Sequence, residues 1–236
     1  ECVKTNVFGA MNLIDACIDK GVKREVALST DKASSPVNLY GATKLTADRL
    51  FVSGNSYSAS LSARFSVVRY GNVMGSRGSV IPFFLSEAHK GVLPITDKQM
   101  TRFMITLDDA VKLVWHVFKD MVGGEIYVKK IPSMKVTDIA TAIDNTAKQE
   151  VVGIRPGEKI HEEMISSGDA PYTYEYDNHF KILPSIYSWA VDPNRINDGL
   201  KVSENFTYTS DNNSDWMDID TLKIWIKENS KTIGKI

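Results

Sequence analysis

Residues 25–44 read Glu-Val-Ala-Leu-Ser-Thr-Asp-Lys-Ala-Ser-Ser-Pro-Val-Asn-Leu-Tyr-Gly-Ala-Thr-Lys. The first four make a short run suited to a buried strand, and a hydroxyl, a carboxylate, an amine and a phenol follow where that strand should stop. Open α/β sheets bind their ligands at the carboxyl ends of strands. Upstream, Val7, Met11, Ile14 and Ile18 are spaced three or four apart, which predicts an amphipathic helix over residues 5–20 that Gly21 stops. Downstream, a helical segment covers about 39–53, and Phe65-Ser-Val-Val-Arg-Tyr70 is strand-like. Helix, strand, helix, strand is the rhythm of a parallel sheet, so the fold class is α/β.

Farther along, helical patterns run from Val80 to Lys90, Leu107 to Met121 and Val136 to Ala147, with strand-like stretches at residues 125–128 and 150–154. Gly91, Gly123-Gly124 and Pro132 punctuate them. Residues 171–213 show little periodicity, and a helix resumes over residues 219–227.

With 28 basic and 29 acidic residues the net charge is −1, which gives no broad basic face for nucleic acid or a membrane surface. No apolar run approaches the ~20 residues needed to span a bilayer, and a cytoplasmic location is the default expectation. Cys2 and Cys17 are too few for a disulfide framework and read as reduced thiols. No histidine lies three to five residues from another or from a cysteine, so no zinc site is expected. Met100 and Met104 read as core fillers, and His161-Glu-Glu163 as a solvated helical face.

Tyr40 and Lys44 stand four apart in the expected helix, which puts phenol and ammonium on one face. A nearby cation favours phenolate and so a useful general base. Thr30, ten residues earlier, can reach the same substrate hydroxyl. The trio suits removal of a proton from an alcohol as hydride leaves its carbon. Arg69, Arg77, Arg102 and Arg155 lie at element ends or in Gly/Pro-flanked loops, where a planar guanidinium suits phosphate oxygens.

Ser29-Thr30, Tyr40-Gly-Ala-Thr-Lys44 and Val68-Arg-Tyr-Gly-Asn-Val-Met-Gly75 together resemble the extended short-chain dehydrogenase/reductases that act on nucleotide sugars. Ser29-Thr-Asp-Lys-Ala33, Asn38-Leu-Tyr-Gly-Ala-Thr-Lys44, Arg69 to Ser79 and Ile154-Arg-Pro-Gly-Glu-Lys159 narrow the likeness to the 5-inverting UDP-N-acetylglucosamine 4,6-dehydratases of the polysaccharide biosynthesis protein family. The likeness covers residues 1 to about 165, and more loosely the stretch to Asn212-Asn-Ser-Asp-Trp216.

The resemblance implies a Rossmann-like doubly wound parallel sheet with a smaller substrate lobe. Residues 1–80 would be the later half of the NADP domain, and 81–236 mainly the lobe, with segments returning to the sheet. It implies NADP as cofactor, UDP-N-acetylglucosamine as substrate, no nucleic-acid partner, no membrane insertion and a homo-oligomer, dimer or hexamer, serving pseudaminic acid or surface-glycan synthesis. Oxidation at carbon 4 acidifies the carbon-5 proton, water leaves across carbons 5 and 6, and hydride returns to carbon 6. In that scheme Tyr40 serves the hydride steps with Thr30, and Lys44 holds phenol and cofactor ribose. Lys32 handles the carbon-5 proton, its amine kept neutral by the second ammonium of Lys44, and Asp31 protonates the departing hydroxyl. Val73, Met74, Gly75, Ser76 and Arg77 correspond to the segment over the nicotinamide. Asn72, Arg102, Arg155 and Glu158 rank highest for substrate, and Asn6 matches the family's structural asparagine.

Asp31-Lys32 stands where 5-retaining dehydratases have Asp-Glu, which favours inversion. A UDP-sugar 4-epimerase or a 5-retaining dehydratase on the same scaffold, and a non-catalytic nucleotide-binding homologue, are the alternatives. The family's Gly-x-x-Gly-x-x-Gly turn occurs nowhere in the 236 residues. The expectation is therefore an N-terminally truncated chain that lacks activity alone.

Overall fold

A π-helical turn over Val3–Phe8 leads into α1 (Gly9–Asp19), β1 (Arg24–Thr30), α2 (Leu39–Tyr57) and β2 (Arg64–Tyr70). The chain continues through β3 (Asn72–Val73), α3 (Val80–Glu87), β4 (Val92–Ile95), β5 (Thr101–Ile105), α4 (Leu107–Asp120) and β6 (Ile126–Lys129). Then come β7 (Ser133–Lys135), α5 (Val136–Ile143), β8 (Lys148–Val151), β9 (Glu163–Ile165), β10 (Thr173–Glu175) and β11 (His179–Ile182). The last elements are α6 (Pro193–Ile196), β12 (Leu200–Lys201), β13 (Tyr208–Thr209) and α7 (Ile219–Asn229). This computed structural model describes residues 1–57 and 63–235. Two compact units result: Glu1–Tyr70 with Val111–Lys130 and Glu163–Tyr208, and Gly71–Ala110 with Ile131–Glu162 and Thr209–Ile236.

The first unit is built on a six-stranded sheet in the order β1-β2-β6-β11-β10-β12. Strands β1, β2 and β6 are parallel, with Ser29 opposite Arg69 and Arg69 opposite Val128, and β11 turns antiparallel against β6. The α/β rhythm of the sequence is thus present as a parallel sheet. Phe65, Val67 and Val68 on the central β2 are wholly buried, each stabilising the fold by roughly 1.5–3 kcal/mol. One cluster joins Val68 and Tyr127 of the sheet to Leu113, Val117 and Met121 of α4 and the turn after it.

Helix α2 meets β2 closely at Gly54, where an added Cβ would lie 3.3 Å from the Phe65 ring. Asn55 fastens the same corner. Its amide donates to the carbonyls of Phe51, Val52 and Phe65 at 3.2, 3.0 and 2.9 Å, and its oxygen accepts from the Phe65 N–H at 3.0 Å. A buried side chain thereby satisfies backbone groups of two elements.

In the second unit β3 runs parallel to β5, β7 is antiparallel to β5, and β4 and β8 form a separate parallel pair. Its core gathers Met74, Ile81, Phe84, Leu93, Met100, Met104, Ile139 and Leu222, so Met100 and Met104 fill the interior as expected. Strands β4 and β5 stand where the sequence showed no strand pattern. Helix α5 is shorter than its periodicity predicts. The Asp144 carboxylate accepts the N–H groups of Thr146 and Ala147 and the Thr146 hydroxyl, a local turn that competes with further helix.

Cys2 and Cys17 are free thiols. No helix among the described residues is long and apolar enough to cross a membrane. No group of three metal-ligating side chains occurs among them either. The fold does bring His116 and His179 together, ring centroids 4.8 Å apart, although 63 residues of sequence separate them. His179 also stacks on Tyr176 at 4.6 Å, and burial pushes its imidazole down to about 4, so the ring is a neutral packing element. His161-Glu-Glu163 is not a solvated helical face: Glu162 is buried, and His161 is hydrogen-bonded to Thr101 Oγ1 at 2.8 Å.

Glu25 on β1 has a buried Oε2 with no hydrogen-bond partner, and burial pushes its carboxyl up to about 7. A folded-state pKa raised above the unfolded value means stability that is present below the unfolded pKa and lost as pH rises through about 7. Glu25→Gln is therefore expected to be nearly neutral at pH 4 and to stabilise by about 1–2 kcal/mol at pH 8, solvent contact reducing the full shift. Urea titrations at the two pH values measure this; an equal change at both would contradict it.

Candidate active site

The carboxyl end of β1 turns at once into a 3₁₀ turn over Asp31–Ala33. Thr30 caps it. Its Oγ1 accepts from the Lys32 N–H at 3.4 Å and donates to Asp31 Oδ1 at 2.9 Å. Lys32 Nζ lies 3.0 Å from the same Oδ1, and the Asp31 residue is wholly buried while the Lys32 side chain is about a third exposed. Asp31 Oδ2 is buried without a hydrogen-bond partner. An unpartnered buried carboxylate oxygen is costly unless a ligand or a proton satisfies it. Lys32 is thus paired with the Asp31 carboxylate.

Pro36 separates this turn from α2. The helix starts where the Asn38 side chain accepts the Gly41 N–H at 2.8 Å, an N-cap that leaves Tyr40 and Lys44 in the first turns. Gly41 is needed for space. A Cβ there would stand 2.3 Å from the Lys32 carbonyl oxygen and 3.0 Å from Pro36 Cβ. The close approach sets the helix against the Asp31–Lys32 turn. Lys44 Nζ donates to the Leu28 carbonyl at 2.7 Å, while Tyr40 remains exposed and its hydroxyl makes no hydrogen bond among the described residues. Asn6 in the N-terminal π turn donates to Thr43 Oγ1 at 3.0 Å, and Thr43 donates to the Tyr40 carbonyl at 2.8 Å, so Asn6 steadies the backbone that carries the phenol. Thr30, Asp31, Lys32, Tyr40 and Lys44 are therefore brought together on one unit.

Sequence reasoning missed Asp48. It follows Tyr40 and Lys44 at the same four-residue interval, which was the available signal. Burial raises its pKa, while the charge of Arg69, its hydrogen bond to the carboxylate, and the charge of Lys44 pull it back. Arg69 does not serve as an exposed phosphate ligand. Its side chain is 1% exposed and is committed to Asp48 at 3.2 Å, Asp169 at 3.5 Å and the Met164 carbonyl at 2.7 Å. Ser34 Oγ donates to Glu163 Oε2 at 3.2 Å, which ties the catalytic turn to β9.

The second unit carries the other candidates. Asn72 and Val73 form β3, half-buried, and Met74, Gly75, Ser76 and Arg77 continue into a loop in which Arg77 is exposed. Arg102 lies on β5, in a strand rather than a loop; its guanidinium donates to the carbonyls of Thr101 at 2.7 Å and Ile160 at 3.1 Å and stands 3.6 Å from Glu162. Arg155-Pro-Gly-Glu158 is a tight turn closed by Glu158 N–H to the Arg155 carbonyl at 3.1 Å, with Gly157 at φ +82°. Proline second and a positive-φ glycine third are the signature of a type II turn. The Glu158 carboxylate accepts back from the Arg155 N–H at 3.2 Å, and the Arg155 side chain is exposed.

The profile of the family described as "Polysaccharide biosynthesis protein" matches residues 1–184. The chain is 53% identical over 223 residues to a protein of Campylobacter jejuni named UDP-N-acetylglucosamine 4,6-dehydratase (inverting), a match covering 92% of this chain and 67% of that protein. A Rickettsia canadensis protein named UDP-glucose 4-epimerase is 37% identical over 187 residues, 77% of this chain and 55% of that one. Among solved structures, Pen from Bacillus thuringiensis superposes with a TM-score of 0.83 at 34% identity, covering 96% of this chain and 68% of that one.

Proposed function

Because the chain belongs to the polysaccharide biosynthesis protein family, we propose that its reaction is the 4,6-dehydration of UDP-N-acetylglucosamine with inversion at carbon 5. The observation that carries this reading is the Asp31–Lys32 contact of 3.0 Å on the turn packed against Gly41, beside Tyr40. A 4-epimerase has no use for an acid and an amine there. Elimination needs both.

Each step is assigned to a residue of this chain. Tyr40 takes the proton of the carbon-4 hydroxyl, with Lys44 one turn along the same helix. The ketone so formed acidifies the carbon-5 proton. A proton shift from Lys32 to Asp31 along their hydrogen bond leaves a neutral amine and a carboxylic acid with no change in net charge. Lys32 then takes the carbon-5 proton as Asp31 protonates the carbon-6 hydroxyl, and water departs. Carbon 5 then takes a proton from solvent on the opposite face as hydride arrives at carbon 6, Lys32 releases its proton to solvent, and the proton held by Tyr40 restores Asp31.

The residues fit a nicotinamide dinucleotide. Tyr40 and Lys44 offer a phenol and an ammonium at a strand's carboxyl end, suited to ribose hydroxyls, and the backbone of the Val73–Arg77 loop is assigned to the same cofactor. When bound, that cofactor, which we assign as NADP, would supply reversible hydride acceptance between carbons 4 and 6. Asn72, Arg102, Arg155 and Glu158 are assigned to the nucleotide sugar, with arginine forks suited to its diphosphate. Assignment to a cytoplasmic homo-oligomer that feeds surface-glycan synthesis belongs to the same proposal.

No Gly-x-x-Gly-x-x-Gly turn occurs in the 236 residues, so turnover by this chain alone is expected to be absent. The assay therefore uses a chimera in which the third of the C. jejuni relative outside the match is joined to this chain. With UDP-N-acetylglucosamine in deuterated water, dehydration places deuterium at carbon 5 and removes the carbon-6 oxygen. An epimerase, the reading favoured by the R. canadensis relative, does neither. Lys32→Ala in the chimera is expected to lower turnover about 10²–10⁴-fold, as for loss of a general base. Undiminished dehydration by that variant would remove Lys32 from the mechanism.

A further inference from the structure

Two successive turns make up the loop after β3. Ser76 N–H bonds to the Val73 carbonyl at 3.1 Å and Ser79 N–H to the Ser76 carbonyl at 3.0 Å. Each turn has a glycine at its third position, Gly75 at φ +72° and Gly78 at φ +76°, as type II turns require. The two glycines differ in their surroundings. A Cβ on Gly78 would meet nothing within 4 Å, whereas one on Gly75 would lie 2.9 Å from the Trp225 ring tip and 3.2 Å from Ile233 Cγ1. The Gly75 carbonyl accepts the Gly234 N–H at 2.7 Å. The segment after α7 is itself wound into turns by Thr232 and Ile233 N–H to the Asn229 carbonyl, at 2.9 and 3.2 Å. Asn229 in turn donates from its side chain to the Trp225 carbonyl at 2.9 Å.

We propose that Trp225, Ile233 and Gly234 form a C-terminal clasp that fixes the Gly75 turn, and so positions the Val73–Arg77 backbone for the nicotinamide dinucleotide. This rests on the assignment of that loop to the cofactor. The geometry explains why one turn is sealed and its neighbour is open. The sealed turn holds the loop's root, and the open one carries exposed Arg77. Loss of the clasp leaves a buried carbonyl without its donor and the ring-lined side of Gly75 empty, which favours local opening over global unfolding. Trp225 and Ile233 are thus positioning residues, touching the loop and not the reacting atoms.

The test compares the chimera with variants lacking residues 230–236 or carrying Trp225→Ala, using two readouts. Amide hydrogen exchange at Gly75–Arg77 is expected to quicken about tenfold, the loss of roughly one hydrogen bond's worth of protection. The dinucleotide dissociation constant is expected to rise by about the same factor while UDP binding stays within about twofold, since the loop's ordering cost then falls on cofactor binding alone. Unchanged exchange would refute the clasp itself. Faster exchange with unchanged dinucleotide affinity would refute the assignment of the loop to the cofactor, and the proposal with it. If either variant unfolds, Trp225→Phe, which shortens the ring but keeps it aromatic, is read by the same two measurements.

Discussion

Arg69→Met is expected to destabilise the protein by about 3–5 kcal/mol, the usual consequence of removing one partner from a buried ion pair. Methionine matches much of the lost volume, so little of the effect comes from a cavity. The loss is electrostatic. Asp48 and Asp169 are each under a tenth exposed, and both would remain in place without the cation that faces them. The Asp48 pKa is already raised by burial, and Arg69 is the largest influence pulling it down. In the variant it rises further above the unfolded value, so the Asp48 contribution is retained below the unfolded pKa and lost as pH climbs through the folded one. The destabilisation should therefore be smaller at pH 4 than at pH 7.5, and adding Asp48→Asn should restore part of it at neutral pH. Chemical unfolding at both pH values measures this; a loss under 1 kcal/mol at pH 7.5 would contradict it.

Gly41→Ala is expected to reduce turnover of the chimera about 100-fold or more, the scale of a 1 Å misplacement in an active site. Two effects oppose each other here. Alanine exceeds glycine in helix propensity by about 1 kcal/mol, so propensity alone predicts a more stable α2. A Cβ there, however, would meet the Lys32 carbonyl oxygen at 2.3 Å, and that oxygen belongs to the backbone of the catalytic turn. Backbone cannot swing aside as a side-chain tip can. The turn and the helix must part, moving Asp31 and Lys32 relative to Tyr40. Overpacking of this kind costs typically 1–3 kcal/mol, which exceeds the propensity gain. Melting and steady-state kinetics together decide: wild-type turnover in the alanine variant would show that the close approach is not needed.

The catalytic turn and helix were legible because their signals are local. A strand of seven residues, a polar burst and a capped helix lie within residues 24–57, and each is written in periodicity or turn chemistry. Arg69 was misread because its partners are remote. Asp48 and Asp169 are 21 and 100 residues away, and an arginine before Tyr-Gly resembles an anion ligand until the sheet buries it. Strands β4 and β5 were missed for a different reason. Val92-Leu-Pro-Ile95 carries a proline, which argues against a strand, yet it survives in a two-stranded ladder with β8. Arg102 inside β5 looked like a loop cation because Thr-Arg-Phe-Met-Ile carries a charge at its second position, and only the fold shows the Thr101 and Ile160 carbonyls that take its N–H groups. Lys32 shows the limit within a legible motif. Residue order placed it beside Asp31, but the direction of its ammonium, toward that carboxylate, required coordinates.

The corner made by Asn55 bears on kinetics. Two of its four hydrogen bonds join α2 to the start of β2 across a separation of only ten residues, whereas the ladder from β2 to β6 spans nearly sixty. Short loops close at lower entropic cost and sooner, so this corner belongs among the contacts formed before the central ladder assembles. Asn55→Ala is then expected to slow refolding by most of its equilibrium destabilisation and to leave the unfolding rate little changed.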